Sequence, residues 1–358
     1  MLLAVMMCGG MVGCQKKAPR EELEEAKAAL MQRPIKDEWT TILKLKQLTE
    51  NETDPRVAEE ARMMLGQIEM SKGRNDLARG HFQKVIENVG ITDIMGFQAL
   101  SFKISTYVNE KQFDTAVEEL LALQETLKPE QDVYIDVEMM LSEVYMTKGD
   151  FERAEEILKK QIREERNQQV LMAAIEKLVA IYYNNNEIDN AIGVYQNHLD
   201  KHPKSKNKLL FQVGIAFFHD KKGETEKADE LYEKSFSEYR KLIDETLDQK
   251  EKTKYMFEFA RALELRDEQE KAIEQLKGIA EKFPDTQNAP FALMEVGRIM
   301  VENQKKYEDA LKWYSDLEMK YQNTQIAPAV RQRIAYIQYM QQQQAKADAA
   351  TTTTQPTE

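Results

Sequence analysis

The sequence predicts an all-α fold: an α-solenoid of about seven helix-turn-helix repeats, with capping helices at its N-terminal and C-terminal ends. Three observations carry that reading. The 358 residues include only 14 Gly and 9 Pro among abundant Ala, Glu, Lys, Gln, Leu and Met, a mixture that favours helix. The chain also aligns with itself. MMLGQIEMSKGRNDLARGHF from Met63 returns as MMLSEVYMTKGDFERAEEIL from Met139 and as KLVAIYYNNNEIDNAIGVYQ from Lys177, each an apolar helix, a polar turn and an acidic helix. Finally, one alanine marks each second helix, at Ala78, Ala116, Ala154, Ala191, Ala228, Ala272 and Ala310, in steps of 38, 38, 37, 37, 44 and 38. A near-constant step that holds two helices is the mark of a stacked array, in which neighbours supply the core that one repeat lacks.

The chain opens with Met1–Gly13, thirteen residues without a charged side chain. As a helix that stretch covers roughly 20 Å of a hydrocarbon core about 30 Å thick, so it does not span a membrane. Met11-Val12-Gly13-Cys14 resembles the bacterial lipoprotein box. The resemblance implies that 1–13 is a signal peptide and that Cys14 receives a diacylglyceryl group on its thiol. Its freed amino group is then acylated, for example with palmitate, giving the two or three chains that stable anchoring requires. Residues 14–20 become a lipidated tether. Cys8, behind the bulky Met7, is an incidental part of the apolar stretch. Gln15 is not the Asp that retains enteric lipoproteins in the inner membrane, so the outer membrane is favoured. The two cysteines both lie in these first fourteen positions, so no disulfide and no thiolate metal site forms in the body of the chain.

Glu21–Gln32 and Lys36–Leu48 read as two helices divided at Arg33-Pro34; residues 21–50 form an N-terminal cap or a degenerate eighth repeat. Residues 58–344 are the repeat array. Its details resemble the tetratricopeptide (TPR) repeat: Leu65-Gly66 with Ala78-x3-Phe82 in repeat one, Tyr145 and Ala154 in repeat three, Tyr182, Ala191, Tyr195 and Pro203 in repeat four. Repeat five spaces Gly214 and Ala228 fourteen apart rather than twelve, which reads as two extra residues in the turn at Lys221–Glu226. Repeat seven, from Gly297 to Ala310, carries one extra, and the 44-residue step before Ala272 implies a longer helix or loop around Ile243–Thr253. Repeats six and seven share an aromatic-Pro-Asp-Thr link, an Ala-Pro helix start and the later phrase Asn323-Thr-Gln-Ile-Ala-Pro328. That pattern looks like the TPR form of bacterial envelope proteins, among them the lipoprotein of the outer-membrane β-barrel assembly machinery and the periplasmic Tol–Pal-associated TPR protein. Ala327–Gln344 reads as a capping helix, and 345–358 (AKADAATTTTQPTE) as a disordered tail.

The composition narrows function. A net charge of −12, with no Lys/Arg run longer than two, argues against nucleic acid as a partner. No stretch beyond the N-terminus approaches a spanning helix, so membrane contact is expected through the lipid alone. Of the histidines, His198 and His202 stand four apart, but HLDKH lacks the glutamate of the metalloprotease form and sits at a helix C-terminus, so no metal is expected. Glu118-Glu119 and Glu155-Glu156 fall on solvated faces of second helices. No phosphate loop, no Gly-x-Ser-x-Gly and no body cysteine is present, so the chain reads as no enzyme and as needing no cofactor.

The TPR resemblance implies a concave groove lined by positions two, five, nine and twelve of each first helix. Mapped here, these are Met63, Gln67 and Met70; Met139, Glu143 and Met146; Glu176 and Tyr183; Phe211, Ile215 and Phe218; Phe257 and Arg261; Met294 and Arg298. Such Met and aromatic side chains suit an apolar peptide or a partner helix. For Leu209–Phe218, LLFQVGIAFF, apolar almost all round, a buried reading stands beside the groove reading. The expected function is a non-catalytic scaffold, anchored by lipid in the bacterial envelope and facing the periplasm, that binds partner proteins in outer-membrane or envelope assembly. The alternatives are a cytoplasmic TPR adaptor without lipidation and a non-catalytic subunit of a peptidoglycan-related enzyme complex.

Overall fold

The computed structural model describes residues 17–31, 37–50, 54–322, 324 and 326–352. The expected signal peptide and the lipidation site at Cys14 lie outside them. Among the described residues there are seventeen helices and no strand, in two compact units that divide after Ile181. The first unit holds α1 (Pro19–Met31), α2 (Glu38–Thr49), α3 (Pro55–Ser71), α4 (Asn75–Val89), α5 (Ile94–Asn109), α6 (Phe113–Thr126), α7 (Asp132–Lys148), α8 (Phe151–Glu164) and most of α9 (Gln168–Asn184). The second holds the end of α9 with α10 (Ile188–Lys201), α11 (Lys208–Lys221), α12 (Thr225–Glu245), α13 (Gln249–Leu265), α14 (Gln269–Lys282), α15 (Asn288–Glu302), α16 (Tyr307–Tyr321) and α17 (Ala327–Thr352). No described helix is long and apolar enough to cross a membrane.

Helices stack in chain order from α1 through α8 and from α10 through α17, and first helices also meet the first helix of the next repeat, as α3 meets α5 and α11 meets α13. This is the packing of an α-solenoid built from helix pairs. The expected N-terminal helices form such a pair too: Leu23, Ala26, Leu45 and Leu48 close over Val57, Ala61 and Leu65 of α3.

The turn inside each pair has one recurring device. Gly73, Lys111, Gly149, Asn186, Gly223, Asp267 and Lys305 all have positive φ, between 57° and 87°. Each stands five residues before the marker alanine of its repeat. A left-handed residue ends the first helix and aims the second back along it. Glycine adopts that conformation at no steric cost, whereas Lys111, Asn186, Asp267 and Lys305 hold it under mild strain. The alanines that follow are all buried, at 0–1% exposure. There a larger side chain would hold the two helices apart.

This frame corrects the register of repeat five. The turn between α11 and α12 is Lys222–Glu224, no longer than that between α3 and α4, so it contains no extra residues. The small residue twelve before Ala228 is Ala216, which is fully buried. Gly214 instead makes room for the preceding repeat, since a Cβ there would stand 2.5 Å from Cε2 of Tyr195 on α10. By contrast, Gly66 faces Phe82 and Gly297 faces Tyr314, each in its own repeat. The expected extra residue in repeat seven is present, between α15 and α16, and the 44-residue step is taken up by α12, which runs for 21 residues.

Neighbouring pairs are also tied at their turns. Lys72 pairs with Glu38, Lys148 with Asp114 at 2.5 Å, Lys222 with Asp189 at 2.6 Å and Arg266 with Asp229 at 2.8 Å. In each case a cation at the end of a first helix meets an acid near the start of the preceding second helix, where both helix dipoles favour it. At the C-terminus α17 runs through Thr352, past position 345 where the disordered tail was expected to begin. Ala345, Ala347, Ala349 and Ala350 are strong helix formers, which accounts for the continuation; 353–358 lie outside the described residues.

Candidate partner-binding groove

In the second unit the first helices α11, α13 and α15 leave an open cleft of about 930 Å³. Only these helices and the turns after them line it: Leu210, Phe217 and Lys221, then Phe257, Arg261 and Glu264, then Glu295 and Arg298 are its main walls. A second cleft of about 470 Å³ adjoins it at Phe257 and Glu295 and adds Lys254, Phe291 and Met294. Phe291 is 52% exposed, a large apolar side chain left in water. Among the sequence-predicted residues, Phe257, Arg261, Met294 and Arg298 are brought together here.

Repeat five is different, and its three candidates are corrected. Phe211, Ile215 and Phe218 are buried, Phe211 at 1% exposure. They sit on the face of α11 toward α10: Phe211 stacks on Tyr195 at 4.8 Å between centroids and meets His198 edge-on at 5.0 Å. Counting twelve back from Ala228 puts the groove positions at Leu210, Phe217 and Asp220 instead, which do line the cleft. Tyr183, 41% exposed, leans its ring toward Phe217 at 5.8 Å.

The charges of the cleft are mostly spoken for. Arg298 is bound by both oxygens of Glu264, at 3.0 and 2.6 Å, by Glu295 at 2.6 Å and by Glu302 at 3.2 Å. Burial works against its charge, but the bonds to Glu264 and Glu295 outweigh it and push its pKa above the usual arginine range. Arg266 is likewise held by Asp229 and Glu233. Lys221 rests over the Phe217 ring at 5.0 Å. Burial pushes the Glu258 carboxyl above the usual carboxylate range, against the opposing charges of Lys254 and Arg261. The cleft carboxylates chiefly neutralise arginines, and no nucleophile is set beside a base; the arrangement is suited to binding.

The corresponding face of the first unit mixes apolar and polar side chains, with Ile104, Met140 and Val144 beside its serines. Its cleft holds about 210 Å³ between α5 and α7, lined by Ser101, Ser105, Val108, Glu143 and their neighbours. Gln67, Glu143 and Glu176 are exposed, and Met70 and Met146 are half-buried. Glu143 is bound by Lys177 at 2.8 Å. Two candidates are corrected here: Met63 and Met139, at 7% and 9% exposure, belong to the core. Met63 packs in one cluster with Phe82 of its own repeat and Met95 and Ala99 of the next. The cleft residues that the sequence reading misses are Leu210, Phe217, Lys254, Glu264 and Phe291, together with Ser101 and Ser105 of repeat two. The signal that finds them is the marker alanine, since counting twelve back from it fixes the phase of the first helix in repeats two, five and six, while in repeat seven the extra turn residue makes the count thirteen.

His198 and His202 do lie together, their rings tilted with centroids 4.7 Å apart, and His198 meets Ser205 at 3.3 Å. Among the described residues no group of three or more His, Cys, Asp or Glu is placed to hold a metal ion.

No family model and no curated protein matches the sequence. Solved structures similar to it include the C-terminal part of a TPR repeat-containing protein from Cytophaga hutchinsonii, at 18% identity, 77% of this chain, 99% of that chain and a TM-score of 0.40. A tetratricopeptide repeat protein from Parabacteroides merdae is similar at 14% identity, 77% and 97% coverage and a TM-score of 0.37. PilF of Pseudomonas aeruginosa is similar at 13% identity, 66% and 97% coverage and a TM-score of 0.36. Likeness at this level extends to no function.

Proposed function

We propose that this chain is a non-catalytic scaffold that holds a partner protein in the cleft of its second unit. The observation that carries the reading is the row of Leu210, Phe217, Phe257 and Met294, half-buried, with the exposed Phe291, along three successive first helices. Apolar side chains in a cleft of this size gain from being covered, at roughly 25 cal/mol per Å² removed from water. A helix or extended segment of a partner is the occupant such a groove fits.

We further propose that the scaffold works in the bacterial cell envelope, facing the periplasm from the outer membrane, held by lipid on Cys14. The support is the Met11-Val12-Gly13-Cys14 box, with both cysteines of the chain confined to its apolar lead. Assembly of outer-membrane or other envelope components is the setting that the phrases of repeats six and seven favour.

Two measurements test these readings separately. Crosslinking and pull-down from membranes should lose a specific partner when Phe217 and Phe257 are both replaced by Ala, with helical content unchanged by circular dichroism. Full recovery of every partner by the folded variant would overturn the cleft reading. Mass analysis of the mature N-terminus should show an acylated Cys14; protein that still begins at Met1 without lipid would instead favour the adaptor without lipidation.

A further inference from the structure

The cleft of the second unit contains a guanidinium, Arg261, that no carboxylate binds directly among the described residues, its charge reaching Glu258 only at a distance. Arg261 lies mid-way along α13 between Phe257 and Glu264, is exposed, and has no carboxylate at ion-pairing distance among the described residues. Its natural neighbour Glu264, one turn on, gives both oxygens to Arg298. Glu295, across the cleft, is bound to Arg298 as well. Glu258 is three residues before Arg261 and half-buried beside Lys254 at 3.6 Å. The other carboxylates lining the cleft, Asp220 and Asp267, stand at its turn end, and Asp267 already accepts from Gln269 at 2.6 Å.

The gap matters once the cleft is covered. An apolar segment laid over Phe217, Phe257 and Met294 removes water from Arg261 as well. A charge shut away without a counter-charge costs far more than the apolar contact around it returns. The cation cannot shed its proton to escape, since an arginine stays charged at any ordinary pH. A planar guanidinium with free donors offers a fork-shaped site for a carboxylate.

We infer that the partner segment that fills the cleft carries an Asp or Glu among its apolar side chains, and that this carboxylate docks on Arg261. The inference rests on the cleft being the partner site, as proposed above. The apolar contacts supply affinity, and the acid sets register and selects against partners that are apolar only. Arg298 has no share in this, because its three carboxylates already satisfy it.

The test uses the full chain in detergent and a displayed library of short random peptides as probe. Selected peptides should carry an Asp or Glu flanked by aromatic or aliphatic residues. Their affinity should fall about tenfold or more with Arg261→Glu, a loss that corresponds to about 1.4 kcal/mol or more. A peptide whose acid is changed to Lys should regain binding to Arg261→Glu alone. Arg261→Gln, which keeps size and adds no repulsion, should show an intermediate loss, and an unchanged unfolding midpoint would show that both variants fold. Peptides that lack an acid, or that lose binding with Phe257→Ala but not with Arg261→Glu, would overturn the inference and leave the cleft reading in place. Binding that survives Phe257→Ala and Arg261→Glu alike would overturn both.

Discussion

In the first unit the joints between helices hold charge. Glu59, Glu69, Lys103 and Glu138 are all buried; Glu138 accepts from Lys160 at 2.6 Å and Gln161 at 2.5 Å, and Lys103 meets Glu119 and Gln83. In the second unit the same joints hold rings. Phe211, Tyr232, Phe236, Tyr239 and Phe259 are buried, Phe236 meets Phe259 edge-on at 5.3 Å, and no Asp, Glu, Lys or Arg is buried among its described residues. The clefts differ in size rather than polarity: about 210 Å³ on the first unit, where Ile104, Val108, Met140 and Val144 stand with the serines, and about 930 Å³ on the second, where Phe217 and Phe257 stand among arginines and acids. One repeat geometry therefore serves two chemistries. Helix spacing is set by the small residues, so what fills the remaining space is free to differ between the two units.

The contrast meets its severest trial in the ring-filled unit. Phe236→Ala should destabilise it by about 3–5 kcal/mol, since the neighbouring helices cannot collapse onto the cavity. Urea unfolding followed by circular dichroism should show a separate early transition. In the charged unit, Glu138→Ala should cost about 2–3 kcal/mol by leaving Lys160 and Gln161 without their acceptor. Replacing Glu138 and Gln161 together by Leu should restore much of that; a double variant as weak as the single one would show that the network is more than a filler. Gly297→Ala tests the spacing itself. A Cβ there would meet the Tyr314 ring at 2.5 Å, and that ring is held by its hydroxyl donating to the Met294 carbonyl at 2.9 Å. A loss of about 1–3 kcal/mol is expected, read as a lower unfolding midpoint. Lys111→Gly should do the reverse and stabilise the first unit by about 0.5–1 kcal/mol, because it relieves a left-handed conformation.

The smallest change concerns pH. Burial raises the Glu258 carboxyl, so the folded chain holds that proton at a pH where the unfolded chain has released it. Its contribution to stability is present below the ordinary carboxylate value and lost as pH rises through the raised one. Glu258→Gln should flatten the pH dependence of unfolding just above the ordinary range; an unaltered slope would count against the burial.

The alanine ladder is readable in the sequence because only a small side chain fits where two helices touch, so its spacing carries the phase of every second helix. The first helices are harder. Gly214 reads as the contact residue of repeat five, and that reading carries Phe211, Ile215 and Phe218 into the groove with it. A glycine in a helix signals close approach but not by which neighbour, and here the neighbour is Tyr195 of the preceding repeat. Met63 and Met139 mislead for a related reason, since methionine suits a groove and a core alike. The left-handed turn residues escape notice wherever they are not glycine, because Lys111, Asn186, Asp267 and Lys305 look like any other polar turn residue.

The five residues from each left-handed turn to its alanine act as a reading frame for the whole chain. Both irregularities of spacing fall outside them: the additional turns at the end of α12, which lengthen the step, and the additional residue ahead of Lys305. Length can be added after a second helix or before the turn residue without disturbing how a pair closes, whereas one residue added between Gly223 and Ala228 would rotate α12 by about 100° and turn its alanine away from α11. The architecture can thus acquire longer edges for new partners while each pair keeps its lock.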